Sequence, residues 1–165
     1  MIRFDVSALT QARLGTSLTL NVDTGPQCLD DLEVGFLCGA IQAIRVQGGI
    51  LVQGTVKSQL GLECVRCLGS FDFPVALDLE ETFQLPGTGT RSEGSYAVSD
   101  DDWLDLAPLL REQAWLAIPM KPLCHSNCMG LCPQCGANLN TESCACDRER
   151  FDPRWASLKD LMEQS

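Results

Sequence analysis

Six cysteines fall between residues 124 and 146, spaced C-x3-C-x3-C-x2-C-x8-C-x-C. A segment built this way folds around an ion or a set of cross-links, because it is too small to fold on a core of its own. Zn²⁺ takes four thiolate or imidazole ligands in a tetrahedron, and closely spaced cysteines supply them with little loop to close. Cys132-Pro133-Gln134-Cys135-Gly136 is the sharpest part. Two residues between the thiols let both sulfurs face one ion. Pro133 presets φ for the turn. Gly136 can take a positive φ and turn backbone N–H groups toward the sulfurs. Cys132 and Cys135 are therefore expected ligands. The other two come from Cys124, Cys128, Cys144 and Cys146, and spacing does not choose among them. Six thiols exceed the need of one tetrahedral ion, so two ions with shared thiolates are the alternative. The blander reading is a disulfide cluster. A catalytic zinc would keep an open position and a base nearby. His125 is the only histidine, either a spare ligand or an exposed loop residue.

The compartment decides between metal and disulfides. The start, Met1 to Val6, lacks a charged head followed by an apolar run and a small-residue cleavage site, so no secretory signal is expected. No run of 18 apolar residues suggests a membrane span. Ten cysteines without a signal point to a reducing compartment, the cytoplasm, or a plastid stroma for an organelle form. Net charge is −10, which argues against strong direct binding to nucleic acid. Between residues 119 and 150, Lys121, Arg148 and Arg150 are matched by Glu142, Asp147 and Glu149. Acidic surfaces suit basic partners, or simply maintain solubility.

The first half reads as strands. Ile2, Phe4 and Val6 alternate, as do Leu18, Leu20 and Val22. Val34, Phe36 and Cys38 alternate next, which places Cys38 in the core. Ile44 and Val46 follow, then a turn at Gln47-Gly48-Gly49 and a period-two run from Ile50 through Val56, Leu60 and Cys64. Phe71, Phe73, Val75, Leu77 and Leu79 bring the chain back. Cys28 is isolated, a small filler or an exposed thiol without an assigned role. Cys64-Val65-Arg66-Cys67 has three readings: a structural pair at a strand turn, a half-site for a second zinc, or a thioredoxin-like redox motif. The last lacks the helix such a motif requires.

Residues 84–98 form a glycine- and threonine-rich loop, expected to be flexible. Ser99 to Asp102 place acids where a helix N-terminus favours them. Leu106, Leu109, Leu110, Gln113, Ala114 and Ala117 follow on one helical face, with Pro108 in the first turn. Trp103 and Trp115 are assigned to packing. Asp152 and Pro153 can open a short C-terminal helix carrying Trp155, Leu158, Leu161 and Met162. The predicted architecture is α+β: a mostly antiparallel sheet or partly closed barrel over 1–83, a loop at 84–98, a helix over 99–118 packed on the body, and a zinc lobe with a terminal helix over 119–165.

These motifs come in a particular order. Glu63-Cys-Val-Arg-Cys-Leu68 precedes an acidic strand and a loop. A helix ending Leu-Ala-Ile-Pro leads into Cys124-x3-Cys128-Met-Gly-Leu-Cys-Pro-Gln-Cys-Gly-Ala-Asn-Leu-Asn140, then Cys144-x-Cys146 and Asp152-Pro-Arg-Trp-Ala-Ser-Leu158. From Ile2 to Leu161 the chain resembles the YceD family, the large ribosomal RNA subunit accumulation proteins of bacteria and plastids. The resemblance implies a non-enzymatic role in accumulation and maturation of large-subunit (23S) ribosomal RNA. It implies contact with pre-ribosomal RNA or with a basic large-subunit ribosomal protein, and supplies no catalytic residue. Contact through a basic ribosomal protein would reconcile such a role with the acidic balance. Two other classes compete with this one. A zinc-stabilised adaptor outside the ribosome would co-purify with other machinery. A thiol or hydrolytic enzyme finds no H-E-x-x-H, G-x-S-x-G or phosphate-cradling loop here. No small-molecule substrate is expected.

Overall fold

Three strands of 15 residues each dominate the protein. The computed structural model describes residues 2–87, 96–146 and 154. Within them the elements run β1 (Arg3–Asp5), α1 (Ser7–Thr10), β2 (Ser17–Thr24), β3 (Gln27–Leu29), β4 (Leu32–Val46), β5 (Gly49–Glu63), β6 (Ser70–Gln84), β7 (Trp103–Asp105) and α2 (Ala107–Ala117). The main sheet has the order β2-β4-β5-β6, antiparallel throughout, with β3 paired to β4. It is an open sheet and not a closed barrel. A two-stranded pair, β1 with β7, completes the β structure.

The β4–β5 hairpin turns at Gln47-Gly48, where Gly48 takes φ 78° and Gly49 already opens β5. Along β5 the period of two persists to the end: Ile50, Val52, Val56, Ser58 and Leu60 face inward and are buried. β4 breaks the same rule once. Its register against β5 shifts between Val34 and Leu37. The extra residue moves Leu37, Ile41 and Ala43 inward and turns Phe36 and Cys38 outward. Cys38 is therefore exposed, which corrects its expected place in the core. An extra residue in one strand reverses the faces of everything beyond it. Ser58 sits opposite the bulge, and its hydroxyl donates to the Phe36 carbonyl at 2.7 Å. Cys28 lies exposed on β3.

One face of the sheet is buried under α2 and the β1–β7 pair. Leu104, Leu106, Leu109, Leu110 and Ala114 meet Ile50, Leu77, Leu79 and Phe83 in one cluster. At about 1.5–3 kcal/mol per large apolar side chain buried, this core stabilises the body without help from sulfur. The helix begins later than the acids at 100–102. Ser99 Oγ instead accepts the Trp103 N–H at 3.0 Å, Asp102 takes a left-handed φ of 61°, and residues 103–105 pair with β1. Asp105 then accepts the Ala107 N–H at 3.0 Å, and Pro108 occupies the first turn of α2. Trp103 and Trp115 remain roughly half exposed.

Of the glycine-rich loop, residues 88–95 lie outside the described residues. Its far end returns beside β6, where Tyr96 stacks on Phe83 at 5.2 Å and donates to Glu112. The expected C-terminal helix, with Trp155, Leu158, Leu161 and Met162, also lies outside them. Among the described residues no helix is long and apolar enough to cross a membrane.

Candidate metal centres

The β5–β6 turn is where the sequence's C-x2-C pair meets the cysteine-rich segment. Cys64 ends β5's inward series and is fully buried. Its N–H donates to the Gly69 carbonyl at 2.9 Å, and the Leu68 N–H donates back to the Cys64 carbonyl at 2.9 Å. Cys132 repeats this pattern. Its N–H donates to the Ala137 carbonyl at 2.8 Å, and the Gly136 N–H donates to the Cys132 carbonyl at 2.9 Å. The fifth residue of each turn has a positive φ, 56° at Leu68 and 75° at Gly136. Glycine adopts that conformation freely, whereas leucine does so only under local constraint. The two C-x2-C segments are thus the same backbone device.

Each turn collects a second pair of cysteines. Cys64 and Cys67 join Cys124 and Cys128; Cys132 and Cys135 join Cys144 and Cys146. Within each group the four sulfurs lie within 4.8 Å of one another, and each group can hold a metal ion. The inner group is the first and the outer group the second. Sulfurs ~2.3 Å from a tetrahedral Zn²⁺ stand ~3.8 Å apart. Cys64 and Cys128 sulfurs are 3.8 Å apart, and those of Cys67 and Cys124 are 3.7 Å apart. The six cysteines of the segment therefore divide four to two, the two joining Cys64 and Cys67, with no sulfur shared. His125 is exposed and outside both groups, its Nδ1 3.1 Å from the Cys124 sulfur.

The polar surroundings suit thiolates. Burial works against ionisation of Cys64, but backbone N–H groups of Cys124, Cys67 and Arg66 outweigh it and bring the thiol down to about 6. Backbone N–H groups of Cys135 and Gln134 do the same for Cys132, also to about 6, against the opposing effect of burial. Burial, then the sulfurs of Cys128, Cys67 and Cys64, push Cys124 up to about 12. The Cys135 sulfur, then burial and Cys132, push Cys146 up to about 12. Cys67 is raised as well, the Gly69 N–H opposing but burial and the Cys64 and Cys128 sulfurs outweighing it. Each group thus sets one thiol ready to ionise beside one or more that resist it. A divalent cation among the four sulfurs removes that conflict.

Three residues outside the cysteines support the inner group. Arg66 Nη1 donates to the Cys128 carbonyl at 2.8 Å. Asn140 Nδ2 lies 3.4 Å from the Cys128 sulfur and 2.8 Å from Asn138 Oδ1, while its Oδ1 accepts the Met129 N–H at 2.8 Å. Gly130, at φ 75°, lets the segment pass Arg66; a Cβ there would stand 3.0 Å from the Arg66 carbonyl oxygen. The only hint of these roles in the sequence is that the C-x2-C motif occurs twice.

Residues 52–162, which include both groups, match the model of the family described as Large ribosomal RNA subunit accumulation protein YceD. An uncharacterized protein of Mycobacterium tuberculosis is 34% identical over 154 residues, covering 92% of this chain and 69% of the relative. The uncharacterized protein YlbN of Bacillus subtilis is 27% identical over 132 residues, covering 75% of this chain and 77% of the relative. The Arabidopsis thaliana protein named large ribosomal RNA subunit accumulation protein YCED homolog 1, chloroplastic, is 27% identical over 192 residues, covering 97% of this chain and 57% of the relative. No solved structure gives a significant match.

Proposed function

Because the chain belongs to the YceD family of large ribosomal RNA subunit accumulation proteins, we propose that it promotes accumulation and maturation of 23S ribosomal RNA as a non-enzymatic factor. The family match carries this reading. In it, zinc held by the cysteine groups is a structural element, and the protein works in the cytoplasm, or in a plastid stroma for organelle forms.

The partner we favour is a basic large-subunit ribosomal protein. The sheet face away from α2 supports this choice. It exposes Asp23, Glu33, Glu63, Asp72, Asp78 and Glu80, with Lys57 the cation among them. Four thiolates around one Zn²⁺ add further negative charge to a chain already at −10. Such a surface repels phosphate and attracts basic segments, the more so at low salt. A deletion strain should show a lowered ratio of large- to small-subunit ribosomal RNA, restored by the full-length gene. An unchanged ratio would count decisively against the proposal. Capture at low salt should return large-subunit ribosomal proteins, and added salt should release them.

A further inference from the structure

We propose that the inner group, Cys64, Cys67, Cys124 and Cys128, is a zinc site in its own right, and that its ion clasps the cysteine-rich lobe to the sheet. This rests on the reading that zinc is the structural metal, and assigns the two groups different tasks. The inner group draws its ligands from two segments about 60 residues apart, a separation at which an ion acts as a cross-link; the structure gives 57 for Cys67 and Cys124 and 64 for Cys64 and Cys128. The outer group is confined to residues 132–146.

The contacts around the inner group are few and small. The Val65 N–H donates to the Pro122 carbonyl at 3.0 Å, and the Leu131 N–H to the Arg66 carbonyl at 3.1 Å. Arg66 reaches the Cys128 carbonyl. Partly buried Phe71, Leu123 and Leu131 are the apolar residues packed with the four sulfurs, apart from the main core. Among the described residues, these three hydrogen bonds, the Cys124 N–H on the Cys64 sulfur and so small a cluster make a weak junction. A closed tetrathiolate site supplies what they lack. Cys64, Cys67 and Cys128 are buried, whereas Cys135 in the outer group is exposed and Cys144 and Cys146 are half-buried. The inner ion is therefore the more enclosed of the two.

Metal analysis of the full chain purified with zinc tests the shared site. Wild type should carry two ions. Cys64→Ser/Cys67→Ser should carry one, as should Cys124→Ser/Cys128→Ser. The variant with all four changes should still carry one, because the two pairs are halves of a single site. A four-fold variant that loses both ions, or a wild type with one ion, would overturn the proposal. The Val65 amide reports on the clasp. In Cys124→Ser/Cys128→Ser, which leaves the β5–β6 turn unaltered, its hydrogen exchange should speed up by about tenfold or more. In Cys144→Ser/Cys146→Ser it should stay at the wild-type rate. Val65 equally protected in both variants, with two ions in the wild type, refutes the clasp but leaves structural zinc standing. A metal-free protein with disulfides among these cysteines refutes both.

Discussion

One serine hydroxyl meets the backbone where the β4 side chains change face. Ser58 is the buried polar side chain of the sheet, and its proton goes to the Phe36 carbonyl, at the point where the β4–β5 register shifts. Ser58→Ala removes that part-buried hydrogen bond, a loss of about 0.5–1.5 kcal/mol. Urea unfolding should show a lower midpoint with an unchanged slope. A midpoint equal to wild type would mean that the bulge needs no donor. At the same scale, Leu68 and Gly136 occupy equivalent positions with unequal ease. Leucine at φ 56° is held there by the two hydrogen bonds of its turn, where glycine would adopt the angle unaided.

Among the elements, the paired C-x2-C turns govern the response to acid. Cys64 and Cys132 fall to about 6 from an ordinary 9.0. Their thiolates stabilise the fold fully above pH 9, and that contribution is lost as pH falls through 6. Cys124 and Cys146, raised to about 12, contribute the opposite way: fully below pH 9, and lost as pH rises through 12. An ion requires all four members of a group as thiolates, so zinc loading at pH 7 must expel protons from Cys124 and Cys146. Protons therefore compete with the ion. Zinc should stay bound at pH 7 and pass to a chromogenic chelator as pH falls from about 6 to about 5. Retention of both ions at pH 4 would contradict the four-thiolate sites. The exposed pair Arg111–Asp31, 2.7 Å apart, lies on α2 and the β3–β4 turn and belongs to the body.

For the molecule as a whole, two kinds of cohesion act side by side. The body buries a continuous apolar cluster from Ile2 to Ala114; among the described residues, the lobe has little beyond Leu123, Leu131 and Leu139. Removing metal should therefore separate them. With a strong chelator and a reductant present, the strand signal in circular dichroism should persist. Protease should then cut the chain between residues 119 and 146, which it spares in the zinc-loaded protein. Simultaneous collapse of both parts would show that the sheet depends on metal, contrary to its core.

The sequence by itself determined the strands of β2, β5 and β6, the turn at Gly48, the face of α2 and the two C-x2-C turns. These depend on periods of two and 3.6 residues and on spacing along a short loop, which are local properties. The tertiary structure decided the rest. Residue order cannot show a bulge, because Val34, Phe36 and Cys38 alternate faultlessly until Ser58 and β5 impose another register. Nor can it show that residues 103–105 pair with β1 before the helix starts. Above all, it could not divide eight cysteines into two groups. A sulfur has no partner until the β5–β6 turn brings Cys64 and Cys67 beside Cys124 and Cys128, and only the folded sheet sets that distance.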